Sequence, residues 1–201
     1  MHVGSGVAIR PIHISEKYSV EDWKALNFST EADWQKGIDI FEDRMESRFF
    51  RHTNMIERDR YSGFVIMALD CLLIETLQQF YKGMSETPYG KSRSYFEDFL
   101  TETSFGKFFD KNLASKFYTH IRSGILHQAE VKGSSRILTQ RSSPLVGLSK
   151  DGDGLIINRR LFHGQLLREY NNYIIKLRNA SPDNTQRVNF RKKMDFICRT
   201  A

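Results

Sequence analysis

Arg122 and His127 are the pair in this sequence best suited to chemistry. Breaking an RNA backbone needs a base to take the proton of the 2′-hydroxyl and an acid to protonate the leaving 5′-oxygen. An imidazole titrates near neutral pH and serves either step. The reaction also gathers charge on the phosphoryl oxygens, which a guanidinium fork meets with parallel donors. Five steps of 100° set the two residues about 140° apart on a helix, not on one face. The apolar stripe Phe117–Ile121–Ile125 runs between those directions. Arg122 and His127 therefore flank a hydrophobic seam. If that seam packs on the same helix of a second subunit, a twofold axis brings two arginines and two histidines together.

Other residues join this pair by position or by chemistry. Ser123 follows the arginine. His120, seven residues before His127, lies nearly above it on a helix; it is a second base or a partly exposed surface imidazole. Glu75 could orient Arg122 or His127, or form a buried structural ion pair. Tyr118 could stack a base or pack in the core. Arg159-Arg160 and Arg191-Lys192-Lys193 could grip phosphates or simply face solvent. No His, Cys, Asp or Glu spacing suits a metal, so neither metal nor cofactor is expected. Asp151-Gly152-Asp153-Gly154 is no calcium loop, because the position that needs Glu holds Phe162. There is no Walker loop, GxSxG elbow or GxGxxG.

Helices must carry these residues. Thr30 with Asp33 marks a helix start. Trp34, Ile38, Phe41, Met45 and Phe49 then recur at threes and fours and predict one helix over roughly 31–52. Residues 60–82 are the most apolar stretch and end at Gly83; a helix apolar all round is a central one. Asp70 and Glu75, its only charges between Phe64 and Leu77, must each meet a cation, a donor or water. Pro88 and Gly90 mark a loop, and short helices are expected at 92–101 and 104–110. Leu113, Phe117, Ile121 and Ile125 step by four along a helix at 111–129, which carries the Arg122–His127 pair. Beyond Gly133, β-like runs at 136–139, 145–148 and 155–157 surround the turn at Asp151–Gly154, so a small β-hairpin near 136–157 is expected. Asn158 caps a helix to about 178, and a basic amphipathic helix follows at about 184–198. The fold class is mainly α, a helical bundle with a β-hairpin, in one domain over 29–201. Residues 1–28 read as an arm. Pro11 keeps 7–14 extended, and Ser19-Val20-Glu21-Asp22 opens one helical turn.

The string Phe117-Tyr118-Thr119-His120-Ile121-Arg122-Ser123-Gly124-Ile125-Leu126-His127-Gln128-Ala129-Glu130 resembles the HEPN superfamily, whose signature is Arg, four to six residues, then His. Arg122 and His127 stand at those positions. The segment is similar to the Arg-small-Gly-Leu-Leu-His-Gln form of bacterial HEPN-like proteins, and it follows a long apolar helix with an internal acid. The likeness spans roughly residues 31–178 as helix order but only about ten residues as motif. It implies a helical bundle, a homodimer and a metal-independent endoribonuclease of a defence or toxin–antitoxin system. The partner it implies is RNA, with an antitoxin or nucleotidyltransferase-like protein beside it. Some members are non-catalytic modules that bind RNA, nucleotide or protein. Two features depart from the family. Ser123 stands where nuclease members often have Asn, Asp or His, and the hairpin and the N-terminal arm lie outside a minimal bundle.

The 201 residues are 40% hydrophobic and 27% charged with four prolines, a mixture typical of one folded domain. No apolar run approaches the roughly 18 residues of a membrane span, and Met1-His2-Val3-Gly4 does not begin a secretory signal. Cys71 and Cys198 are the only cysteines. Two thiols in a signal-free chain suggest a reducing compartment, so the expectation is a soluble cytoplasmic protein without a disulfide. The net charge of +6 is uneven: residues 1–121 hold 15 Lys and Arg against 18 Asp and Glu, and residues 122–201 hold 15 against 6. A basic half suggests a polyanion partner, RNA first, or a solvated basic surface.

Overall fold

Helices open where polar caps stand. In the computed structural model, which describes residues 11–140 and 142–200, Ser19 and Asp22 form a capping box. The Ser19 N–H donates to Asp22 Oδ2 at 2.7 Å and the Asp22 N–H to Ser19 Oγ at 3.3 Å, starting α1 (Val20–Lys24). Thr30 accepts from the Asp33 N–H and opens α2 (Glu31–Met45). The helix foreseen to 52 changes pitch. A π-helical turn at Glu46–Phe50 leads into α3 (Arg51–Ile56). The wider turn shifts the phase of the apolar stripe, so Phe50 is buried in place of Phe49.

The central helix is α4 (Gly63–Lys82), which stops at Gly83 in the left-handed region, φ 64°. Among the described residues α4 alone is long and apolar enough to cross a membrane, by length and composition. Half of it is buried inside the fold.

After the loop at 88–91 come α5 (Ser92–Glu102), a 3₁₀ turn at Ser104–Lys107 where a second short helix was expected, and α6 (Lys111–Lys116). A second π-helical turn, Phe117–Arg122, joins α6 to α7 (Ser123–Gln128) in one continuous helical run.

The expected hairpin is part of a three-stranded sheet of β1 (Arg136–Leu138), β2 (Val146–Leu148) and β3 (Leu155–Asn158), in the order β1-β3-β2. β2 and β3 are antiparallel about the turn at Gly152. β1 runs parallel to β3, with Ile137 opposite Ile157. β3 thereby buries Leu155 and Ile157 between two partners. Asn158 ends β3 and caps α8 (Arg159–Asn179) by accepting from the Leu161 N–H at 3.3 Å. The last helix is α9 (Thr185–Thr200).

α8 and α9 both pack along α4, and the aromatic side chains Phe41, Phe80, Tyr173 and Phe190 meet between them. Residues 14–28 belong to this core. Ile14, Val20, Trp23 and Phe28 are buried, and Trp23 Nε1 donates to Asp195 of α9 at 2.8 Å. Of the extended segment foreseen at 7–14, residues 7–10 lie outside the described residues, and His13 forms an antiparallel bridge with Ser19. Cys71 and Cys198 are both free and buried.

Candidate active site

Arg122 emerges from the π-helical turn toward α4 and α5. Its Nη2 donates to Glu75 Oε2 at 3.1 Å, and Ser92 at the start of α5 donates to the same oxygen at 3.3 Å. The guanidinium lies over the rings of Phe96 (5.7 Å) and Tyr118 (5.3 Å). Arg93 stacks on Tyr118 as well, at 4.9 Å. Arg122 Nε is buried without a partner, and Nη1 makes no hydrogen bond among the described residues. The Arg122 and Glu75 side chains are 16% and 23% exposed, so the pair sits at the surface edge of the core. The expectation that Glu75 must find a partner is met by Arg122.

His127 is set apart from this cluster. It stands exposed on the last turn of α7 and makes no hydrogen bond among the described residues. The seam between the two is already covered within the protomer. Phe117, Ile121 and Ile125 are buried, and the Phe117 ring stacks on Phe162 of α8 at 5.0 Å and 8°. A second subunit therefore has no access to that stripe, contrary to the twin-helix packing considered from sequence. The apolar surface left open near His127 is a different one. Leu126, 45% exposed, joins Ala68, Leu69, Leu72 and Thr76 of α4 in an open groove of about 420 Å³ that also touches Glu75.

The chain turns sharply after His127. Ala129 ends α7 at φ 54°, and the following segment folds back across it. Gly124 makes this possible, since a Cβ there would lie 2.4 Å from the Glu130 carbonyl oxygen. His120 fastens the same segment: its Nδ1 is 3.2 Å from the Lys132 carbonyl oxygen, and the Lys132 N–H donates to the His120 carbonyl at 2.9 Å. Ser123 is half-buried, with no side-chain hydrogen bond among the described residues.

The basic clusters divide by burial. Arg159 is buried and donates to Ser62 Oγ at 2.7 Å and to the Glu57 carbonyl at 2.8 Å. Lys193 is buried on the Ser85 carbonyl. Both are structural groups of the fold, which removes them as phosphate contacts. Arg160, Arg191 and Lys192 are exposed; Arg191 lies over Phe28, with Asp195 at 3.8 Å.

A polar pair that sequence reasoning missed lies deeper. Asp70 is fully buried, and its Oδ1 is 2.6 Å from His163 Nδ1. Asp70 Oδ2 and His163 Nε2 are both buried without partners. Burial pushes the Asp70 carboxyl above the usual carboxylate range, against the opposing pull of His163 and Arg159. The requirement that Asp70 find a partner was visible in the sequence. Nothing marked His163, which is 93 residues away.

Among the described residues no group of three or more His, Cys, Asp or Glu is placed to hold a metal ion. No family model matches this chain, and no curated protein or solved structure matches it.

Proposed function

We propose that this protein is a HEPN-like endoribonuclease acting as a homodimer, with Arg122 and His127 as its catalytic residues. The observation that carries this reading is the setting of Arg122. Glu75 and two aromatic rings fix its guanidinium at the surface edge of the core, while Nη1 stays without a partner for a phosphoryl oxygen. His127 supplies the proton transfers, from the 2′-hydroxyl or to the leaving 5′-oxygen. The mainly apolar groove beside it is the surface on which a second copy docks. Leu126 directly precedes His127, so a twofold contact through Leu126 and Leu72 gathers both histidines at one interface. A defence or toxin–antitoxin role, with a cognate antitoxin, follows the family resemblance alone.

A ribonuclease assay in EDTA tests the reading. His127→Ala lowers cleavage by about 10²–10⁴-fold and leaves thermal stability nearly unchanged, because the side chain is exposed and makes no hydrogen bond among the described residues. Leu72→Asp yields monomers in light scattering and loses cleavage with them. Cleavage undiminished in His127→Ala removes His127 from the mechanism.

A second reading has its own support. Among the described residues no hydrogen bond orients the His127 ring or sets its tautomer. A non-catalytic module that binds RNA, nucleotide or a partner protein fits that freedom. Salt-sensitive RNA binding without cleavage establishes its RNA-binding form.

A further inference from the structure

A polar cleft opens between α4, α8 and the turn at Thr103–Ser104, and it shares no lining residue with the Arg122 site. Its volume is about 340 Å³, within the roughly 300–1,000 Å³ of small-molecule pockets.

Glu169 forms the floor. It is buried and has no salt bridge among the described residues. Oε1 accepts from the Tyr81 hydroxyl at 2.5 Å, while Oε2 accepts from the Ser104 N–H at 3.1 Å and from the Ser104 hydroxyl. Gln165 holds that hydroxyl with a further hydrogen bond at 2.6 Å. A carboxylate has about four lone-pair sites, so one on Oε1 remains to face a ligand. Two turns along α8, about 10 Å away by helix rise, Lys176 stands at the rim. It has no ion pair among the described residues. The other rim lysine, Lys82, is 3.4 Å from Glu102.

Gln78 supplies the independent sign of a ligand. It is 2% exposed and lines the cleft, and its amide makes no hydrogen bond among the described residues. Neither atom of the amide is fully enclosed, so the group opens into the cleft, where a ligand can reach it. Asn172 and Gln186 place two more amides on the walls, with no side-chain hydrogen bond among the described residues.

These groups define the occupant by elimination. A simple anion would meet Lys176 but would leave the Glu169 carboxylate facing a like charge. A simple amine would leave Lys176 unmatched. An apolar molecule would bury the Gln78 amide without partners. We propose that the cleft binds a small polar zwitterion of the amino-acid class, with its ammonium against Glu169, its carboxylate against Lys176 and its polar side chain among the amides. The assignment is independent of the ribonuclease reading.

The test is a thermal-shift screen of the full chain with each of the common amino acids at about 10 mM, far above a sub-millimolar Kd. Calorimetry follows on the strongest, on its hydroxy-acid analogue and on its decarboxylated amine. At least one polar amino acid raises Tm. Both analogues bind about tenfold more weakly or worse, since each lacks one charge-assisted contact. Lys176→Met, at an exposed position, and Gln78→Met, close in volume, weaken binding to the same degree while keeping the wild-type circular dichroism. No rise in Tm with any amino acid overturns the proposal. So does a hydroxy acid that binds as tightly as its amino acid, or binding unchanged in Lys176→Met.

Discussion

Replacing Asp70 by Asn tests the buried pair most directly. Asp70 is fully buried, with one oxygen on His163 at 2.6 Å and the other without a partner. Desolvation pushes its carboxyl above the ordinary value of 3.8. In the unfolded chain Asp70 releases its proton near 3.8; in the folded chain it holds the proton to higher pH. Between those two values the folded state binds one proton more than the unfolded state. Stability therefore falls as pH rises, by about 1.4 kcal/mol per pH unit. The contribution is fully present below 3.8 and lost once pH has passed the folded value. Asn keeps the shape and an acceptor for the His163 N–H but removes the titration. The stability of Asp70→Asn relative to wild type thus climbs about 1.4 kcal/mol per pH unit from near pH 4, then levels off. With a urea slope of about 2–3 kcal/mol per molar for a chain of this size, the midpoint difference widens by about half a molar per pH unit. Urea melts of both proteins at half-unit steps from about pH 4 to 6 measure it below the ordinary histidine range. A midpoint difference that stays flat across that window refutes a raised Asp70.

Two further substitutions probe the segment around Arg122. Gly124→Ala places a Cβ 2.4 Å from the Glu130 carbonyl oxygen; relief of that clash costs about 1–3 kcal/mol, a fall in Tm of roughly 3–10 °C by calorimetry. Glu75→Gln leaves the Arg122 guanidinium without its counter-charge. Because the two side chains are 16% and 23% exposed, the loss is about 1 kcal/mol and not the 3–5 kcal/mol of a fully buried pair. A double-mutant cycle with Arg122→Met returns that coupling, and a coupling of zero removes Glu75 as the residue that positions Arg122.

Local signals were the legible part of the fold. Ser19, Thr30 and Asn158 cap helices through groups three residues away, and Gly83 ends α4 through its own backbone angle. The π-helical turns were hidden, because one extra residue per turn leaves the apolar spacing nearly unchanged over a short window. Their effect shows only in the exchange of Phe50 for Phe49. Partnerships across long separations were legible only as requirements. Asp70 and Glu75 had to be matched, but the choice of His163 and Arg122, 93 and 47 residues away, is made by tertiary packing. The candidate site follows the same division. Residue types and spacing singled out Arg122 and His127, whereas the burial of Phe117, Ile121 and Ile125 against the protomer's own α8 depends on Phe162.

The uneven charge along the chain has a use inside the fold. Arg122 pairs with Glu75, Arg160 with Glu57, Arg178 with Asp39 and Glu42, and Arg187 with Glu31. Every cation in that set comes from the basic stretch 122–201 and every acid from the stretch before it. Arg159 and Lys193 reach backbone carbonyls of the same earlier stretch, at Glu57 and Ser85. Four of the fifteen cations of that stretch thus serve as counter-ions to the earlier one and two more fasten to its carbonyls, so internal pairing draws the basic excess down in part. Charge asymmetry argues for a nucleic-acid partner only through cations left over after internal pairing. Lys192 is one such cation, exposed and without an ion pair among the described residues. Two of the basic residues that suggested a phosphate grip, Arg159 and Lys193, act as internal fasteners between the two halves.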